Sequence, residues 1–176
     1  MQRPQPVTFG ALPSLSPSGT GWHTFTFHYN PDIKNCIVTG PQNVKAAEIR
    51  TQSGQTRFAG SGQTFANIQW GTQPIVEIVG TTQRQYAGQF LSLQYQPDQT
   101  SYRRMDVGGK SYRWTAKPEG TYLYKSGGYD TDPVARIRMT SLQTVVLELK
   151  GEAFPAGLFQ PCIAATVLLY SGQSIA

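Results

Sequence analysis

Cysteine is nearly absent from this chain: Cys36 and Cys162 are the only two in 176 residues, far apart and each set in an apolar stretch. That pattern describes buried free thiols rather than a bridged scaffold. A chain of this length can bury a core without disulfide or metal staples. Histidine is as rare, with only His23 and His28. Five apart in one strand, they face opposite sides of a sheet and cannot share a metal without a bulge. No Gly-x-Ser-x-Gly elbow occurs, which leaves a Ser-His-Asp or Cys-His centre without a motif. No Asp-x-Asp-x-Asp-Gly run offers a calcium loop, and no metal or cofactor is expected. The opening stretch 1-MQRPQPVTFGALPSLSPSG-19 lacks an apolar h-region, and no Asn-x-Ser/Thr acceptor occurs. Both absences set the expectation of a cytoplasmic protein, with peripheral membrane association left open.

Charge is sparse too, at 14% of residues, while Gly, Pro, Tyr and Phe number 18, 12, 9 and 8. This composition describes short strands and tight turns. Residues 1–20 are rich in Pro, Ser and Gln and are expected to form a flexible arm, with a single domain over 21–176. Short alternating runs then recur between turn signals: 22-WHTFTFHY-29, 33-IKNCIVTG-40, 45-KAAEIRT-51, 64-TFANIQW-70, 75-IVEIVG-80 and 86-YAGQFLSL-93. They continue as 101-SYRRMDV-107, 110-KSYRWT-115, 121-TYLYK-125, 134-VARIRM-139 and 142-LQTVVLELK-150. Eleven strands at this spacing predict an antiparallel sandwich or barrel. Gly108-Gly109 and Ser126-Gly127-Gly128 mark turns. Alternation places Tyr112, Trp114, Ala135, Ile137 and Met139 inward and Arg113, Arg136 and Arg138 outward.

The closing stretch 158-LFQPCIAATVLLY-170 breaks that rule, being apolar on every side without a period of two. It is too short to span a membrane. It predicts a buried helix over about 158–171, beginning near Gln160 so that Pro161 falls in the first turn and ending before Gly172. A core strand over 166-TVLLY-170 stays open. A helix apolar all round needs a wall on every side, which leads to a closed antiparallel β-barrel wrapped around it.

The succession 65-FANIQW-70, 75-IVEIVG-80, 111-SYRW-114, 134-VARIR-138 and 163-IAATVLLY-170 resembles an uncharacterised fungal, basidiomycete-type domain family. That family is similar in turn to the tubby C-terminal-like superfamily, with its LURP-one-related proteins and phospholipid scramblases. The resemblance covers roughly residues 22–170 and implies a barrel around a central hydrophobic helix. For function, tubby proteins imply phosphoinositide binding through basic residues. Those residues do not align with this chain one by one, and residues 53–83 are poor in basic side chains.

The net charge of +5 permits an anionic partner without demanding one. Arg103, Arg104, Lys110, Arg113, Lys117, Lys125, Arg136 and Arg138 all fall within one third of the chain. If their strands are neighbours, Arg113, Arg136 and Arg138, supported by Arg104, Lys110 and Lys125, form a tyrosine-flanked basic face suited to phospholipid headgroups. The plain alternative is a solvated barrel exterior. No aromatic signature of RNA stacking accompanies these residues, so nucleic acid is disfavoured. Asp130 and Asp132 stand two apart before Pro133, as Asx turns do. The expected function is a non-enzymatic binding or interaction domain for anionic phospholipid or a protein partner. A small β-barrel carrier or lectin-like carbohydrate-binding protein is the second reading. A hydrolase using Asp130 or Asp132 with a histidine is the third. Oligomeric state is not readable.

Overall fold

The computed structural model describes residues 21–175; the arm expected over residues 1–20 lies outside them. Thirteen strands form one sheet: β1 Trp22–Tyr29, β2 Cys36–Thr39, β3 Lys45–Gln52, β4 Gln55–Gly60, β5 Gln63–Gln69, β6 Ile75–Ile78, β7 Thr82–Tyr86, β8 Ser92–Tyr95, β9 Ser101–Val107, β10 Lys110–Lys117, β11 Gly120–Lys125, β12 Ala135–Ser141 and β13 Thr144–Lys150. One helical turn, α1 (Ala87–Phe90), joins β7 to β8, and α2 (Phe159–Tyr170) closes the fold.

The sheet order is β7-β6-β5-β4-β3-β2-β1-β13-β12-β11-β10-β9-β8, antiparallel throughout. Laid flat it would be about 58 Å wide. Its two edge strands, β7 and β8, are separated by only residues 87–91, a link that reaches at most about 20 Å. The sheet therefore curls back on itself. It is not closed by hydrogen bonds, and strand parity gives the reason. In an antiparallel series of odd number the first and last strands run the same way, and a parallel pair needs a crossover of about a dozen residues or more. Five residues cannot supply it, so β7 and β8 border a seam bridged by α1. The closed barrel expected from the sequence is corrected to a curled, unclosed sheet.

Around the middle of α2 the burial is complete, while Phe159, Gln160, Leu169 and Tyr170 at its ends are half-buried. Residues 161–168 are all buried, more than two turns in succession, so no face of this stretch meets solvent. Pro161 is the third helical residue, where its missing N–H has no intrahelical acceptor to lose, and the Cys162 N–H makes the bond to Leu158 O at 2.9 Å. The buried Thr166 hydroxyl donates to Cys162 O at 2.7 Å. The sheet supplies Phe25, Phe27, Val38, Ile49, Phe58, Ile68, Val76, Met105, Trp114, Leu123, Ile137 and Leu147 to the same core. Helix bounds and burial agree with the expectation, and the strand reading of 166–170 falls away.

Two stretches differ from expectation. The strand expected over 86–93 is instead the end of β7, then α1, then the start of β8. Ala87, Phe90 and Leu91 are buried at helical spacing. Strand β4 carries Thr56, Phe58 and a buried Gly60 inward, a pattern with one large apolar residue and hence a faint signal. Met139 follows the inward alternation yet is 55% exposed. The β12–β13 register shifts just beyond it, and the core cluster on this strand ends at Ile137.

Candidate functional site

Alternation and pairing do gather most of the expected basic residues. Arg113 lies directly opposite both Tyr124 on β11 and Arg104 on β9. Tyr122 lies opposite Arg136, which lies opposite Glu148 on β13. The outer face of β9–β13 thus carries Arg104, Arg113, Arg136 and Arg138 beside Tyr122, Tyr124 and Trp22. Lys110 and Lys125 share the inward parity of Tyr112, Trp114 and Leu123 instead, and are exposed at the strand ends.

Carboxylates pair with most of the cations on and around this face. Arg136 donates to both oxygens of Glu148, Nε at 2.6 Å and Nη2 at 3.2 Å, and Arg138 adds a bond at 2.8 Å. Burial pushes the Glu148 carboxyl up, but the two guanidinium groups outweigh it and hold the group below the usual range. The Arg136 guanidinium also stacks 4.4 Å from the Trp22 ring centroid. Arg113 pairs with Asp130 and sits 5.8 Å from the Tyr124 ring, and Arg104 pairs with Asp106 at 3.0 Å. Lys125 pairs with Glu152 at 2.9 Å, and Lys150 with Asp132. Lys117 lies over Tyr122 and Tyr124 at 5.3 and 5.1 Å. Among the described residues Lys110 has no carboxylate partner. The face is a charge-paired, aromatic-buttressed surface, and its aspartates are paired with arginine and lysine.

A second basic arrangement escaped sequence reasoning. On the outer face of the β3–β4 hairpin, Arg50 is directly opposite Arg57 and Gln52 directly opposite Gln55. The turn between them, Ser53-Gly54, has φ of 51° and 73°, the left-handed pair that a two-residue hairpin requires. These four side chains and Ser53 line a surface recess of about 270 Å³. Arg50 shares Glu48 with Lys45, and together they bring the Glu48 carboxyl down to about 2. No carboxylate lies within ion-pair distance of Arg57 among the described residues. Two arginines in a row of glutamines made a weak signal next to the cluster after residue 100. Cross-strand register, which pairs residues seven apart, would have revealed it.

The histidines and cysteines lie apart from these two arrangements. His23 packs edge-on against Phe154 at 5.2 Å, and His28 Nε2 lies 2.9 Å from the Thr39 hydroxyl. Their sides of the sheet differ, as expected. Cys36 and Cys162 are free and buried. Burial and the nearby Asp32 charge push the Cys36 thiol up to about 12, and burial pushes Cys162 up as well. Among the described residues no group of three or more His, Cys, Asp or Glu side chains is placed to hold a metal. No helix there is long and apolar enough to cross a membrane.

No known family matches the sequence, and no curated protein matches it. Among solved structures the chain is similar to the X-ray structure of the Arabidopsis thaliana protein AT5G01750, at 10% sequence identity over 86% of this chain and 97% of that one, with a TM-score of 0.45.

Proposed function

We propose that the chain is a non-enzymatic, tubby-like binding domain that docks on anionic phospholipid headgroups, with the β3–β4 hairpin as the contact and the β9–β13 face as its braced scaffold. One observation carries the reading: Arg50 and Arg57 are directly opposed on an exposed hairpin and flanked by amides. Like charges in that position destabilise a sheet. An anion held between them would relieve the repulsion, and a guanidinium pair presents donors suited to phosphate oxygens. Strand direction adds support. The β3–β4 and β12–β13 turns leave the sheet at the same end, and the second presents Leu142, 91% exposed, as an apolar tip. The superfamily that the motifs resemble includes phosphoinositide-binding tubby proteins, whose basic residues do not align onto this hairpin. Such a protein works in the cytoplasm and associates peripherally with membranes. The filled interior around α2 weighs against a ligand carried inside the barrel.

The test is co-sedimentation with phosphatidylcholine vesicles, alone or containing phosphatidylserine or a phosphoinositide. Binding is expected only to anionic vesicles and is expected to fall as salt rises. R57Q should weaken it by about 1 kcal/mol, roughly fivefold. Equal binding to neutral and anionic vesicles, no binding, or an R57Q protein that binds like the wild type would sink the proposal. Salt-insensitive capture of a protein by the Trp22–Tyr122–Arg136 face would favour a protein partner instead.

A further inference from the structure

Arg103 breaks the rule its strand keeps. It shares inward parity with Met105 and Val107, and it stands directly opposite Leu93 on β8 and Trp114 on β10. A guanidinium turned to this side loses hydration and needs compensation. Its Nη1 donates to Leu91 O at 2.9 Å. Among the described residues no carboxylate lies within ion-pair distance of it. Burial accordingly draws its pKa down from the usual value. The neighbouring Trp114 indole N–H is buried without a hydrogen-bond partner among those residues, so the local surplus is of donors.

The seam opens beside this cation. A cavity of about 230 Å³ lies between the end of β7, α1, β8 and the residues after α2. Its walls include Pro74, Tyr86, Leu93 and Ile175, with Arg103, Gln89 and Gln73 as polar groups. Gln89 Oε1 already accepts from the Tyr86 backbone N–H at 3.2 Å, which leaves its amide N–H groups to donate. One cation, further donors, apolar walls and a volume just under the usual range for drug-sized ligands define a small monoanion with an apolar body. A carboxylate matches a single planar guanidinium in two parallel bonds, whereas a doubly charged phosphate calls for more cations than this pocket holds.

We propose that the seam pocket binds a small amphiphilic carboxylate, with Arg103 engaging the carboxylate and Pro74, Leu93 and Ile175 covering its apolar part. The pocket shares no lining residue with the Arg50–Arg57 recess and does not depend on the lipid reading.

Amide-resolved NMR titration of the full chain tests it, with hexanoate, its neutral amide hexanamide, and inorganic phosphate as probes. Hexanoate should give saturable shifts at Gly88, Gln89, Leu93 and Ile175, and hexanamide should bind about tenfold more weakly, as loss of a charge-assisted bond implies. R103Q should erase the preference for the charged probe. L93W, which fills the pocket and keeps Arg103, should abolish binding, and R50Q/R57Q should leave it unchanged. The proposal is overturned by hexanoate and hexanamide binding equally to the wild type, by no saturable shift, by phosphate competing as well as hexanoate, or by shifts confined to residues 50–57. If R103Q fails to fold, L93W decides: undiminished binding there overturns the assignment.

Discussion

Glu148 is 7% exposed on the outer side of β13, and two arginines share it. Its depressed folded pKa means that its contribution to stability is complete above the unfolded value near 4.5 and is lost as pH falls through the lower folded value. E148Q should therefore lower urea stability at neutral pH by about 2 kcal/mol, since it leaves two guanidinium groups without their anion. Its curve should converge with that of the wild type in acid; curves that stay parallel would refute the linkage. The thiols make a second case. Raised by burial, Cys36 and Cys162 should ignore a thiol reagent at mildly alkaline pH and react only in urea. A fast-reacting native thiol would contradict that placement. At this scale the sequence revealed where cations cluster but not which are spent, because Glu148 meets Arg136 and Arg138 only through the β12–β13 register.

Elements were legible where they obeyed one simple period. Helix α2 announced itself by lacking alternation, and its buried Ala164 and Ala165 are small enough to let packed neighbours approach closely. A165L should cost about 1–3 kcal/mol by overpacking, read as a lowered urea midpoint with an unchanged slope. Strand β4 hid because polar Thr56 occupies an inward position. Its hydroxyl is satisfied there by the Trp70 indole N–H at 2.6 Å and the Thr51 hydroxyl at 2.6 Å, a compensation no pattern of apolar residues displays. At the start of β11, Gly120 has φ of 152°, and a Cβ there would meet Ile137 O at 2.4 Å. G120A should lower stability by about 2 kcal/mol or more and loosen the β11–β12 pair. Amide exchange at Leu123 and Val134 unchanged from the wild type would refute it.

On the scale of the whole molecule, composition and one unbroken apolar helix sufficed to indicate a sheet curled around a core. What they did not reveal was the full count, since β4 escaped and β7 and β8 were merged; the eleven strands expected are nonetheless odd in number like the thirteen present, and neither count lets antiparallel pairing alone seal a cylinder. The expected signature lies in hydrogen exchange. Amides of β1, β12 and β13, paired on both sides, should be protected most, and those of β7 and β8 that face the seam least. Uniform protection around the sheet would mean that the seam is sealed.

The same layout has a consequence for assembly. Every ladder but one joins strands adjacent in sequence; the exception is β1 with β13, where Trp22 meets Lys150. The molecule is thus two separate meanders, β1–β7 and β8–β13 with α2, joined by a single long-range ladder and a shared core around α2, and tethered at α1. A cut within α1 severs no strand pairing, so the two fragments, made separately, should recognise one another and rebuild the fold as a split protein.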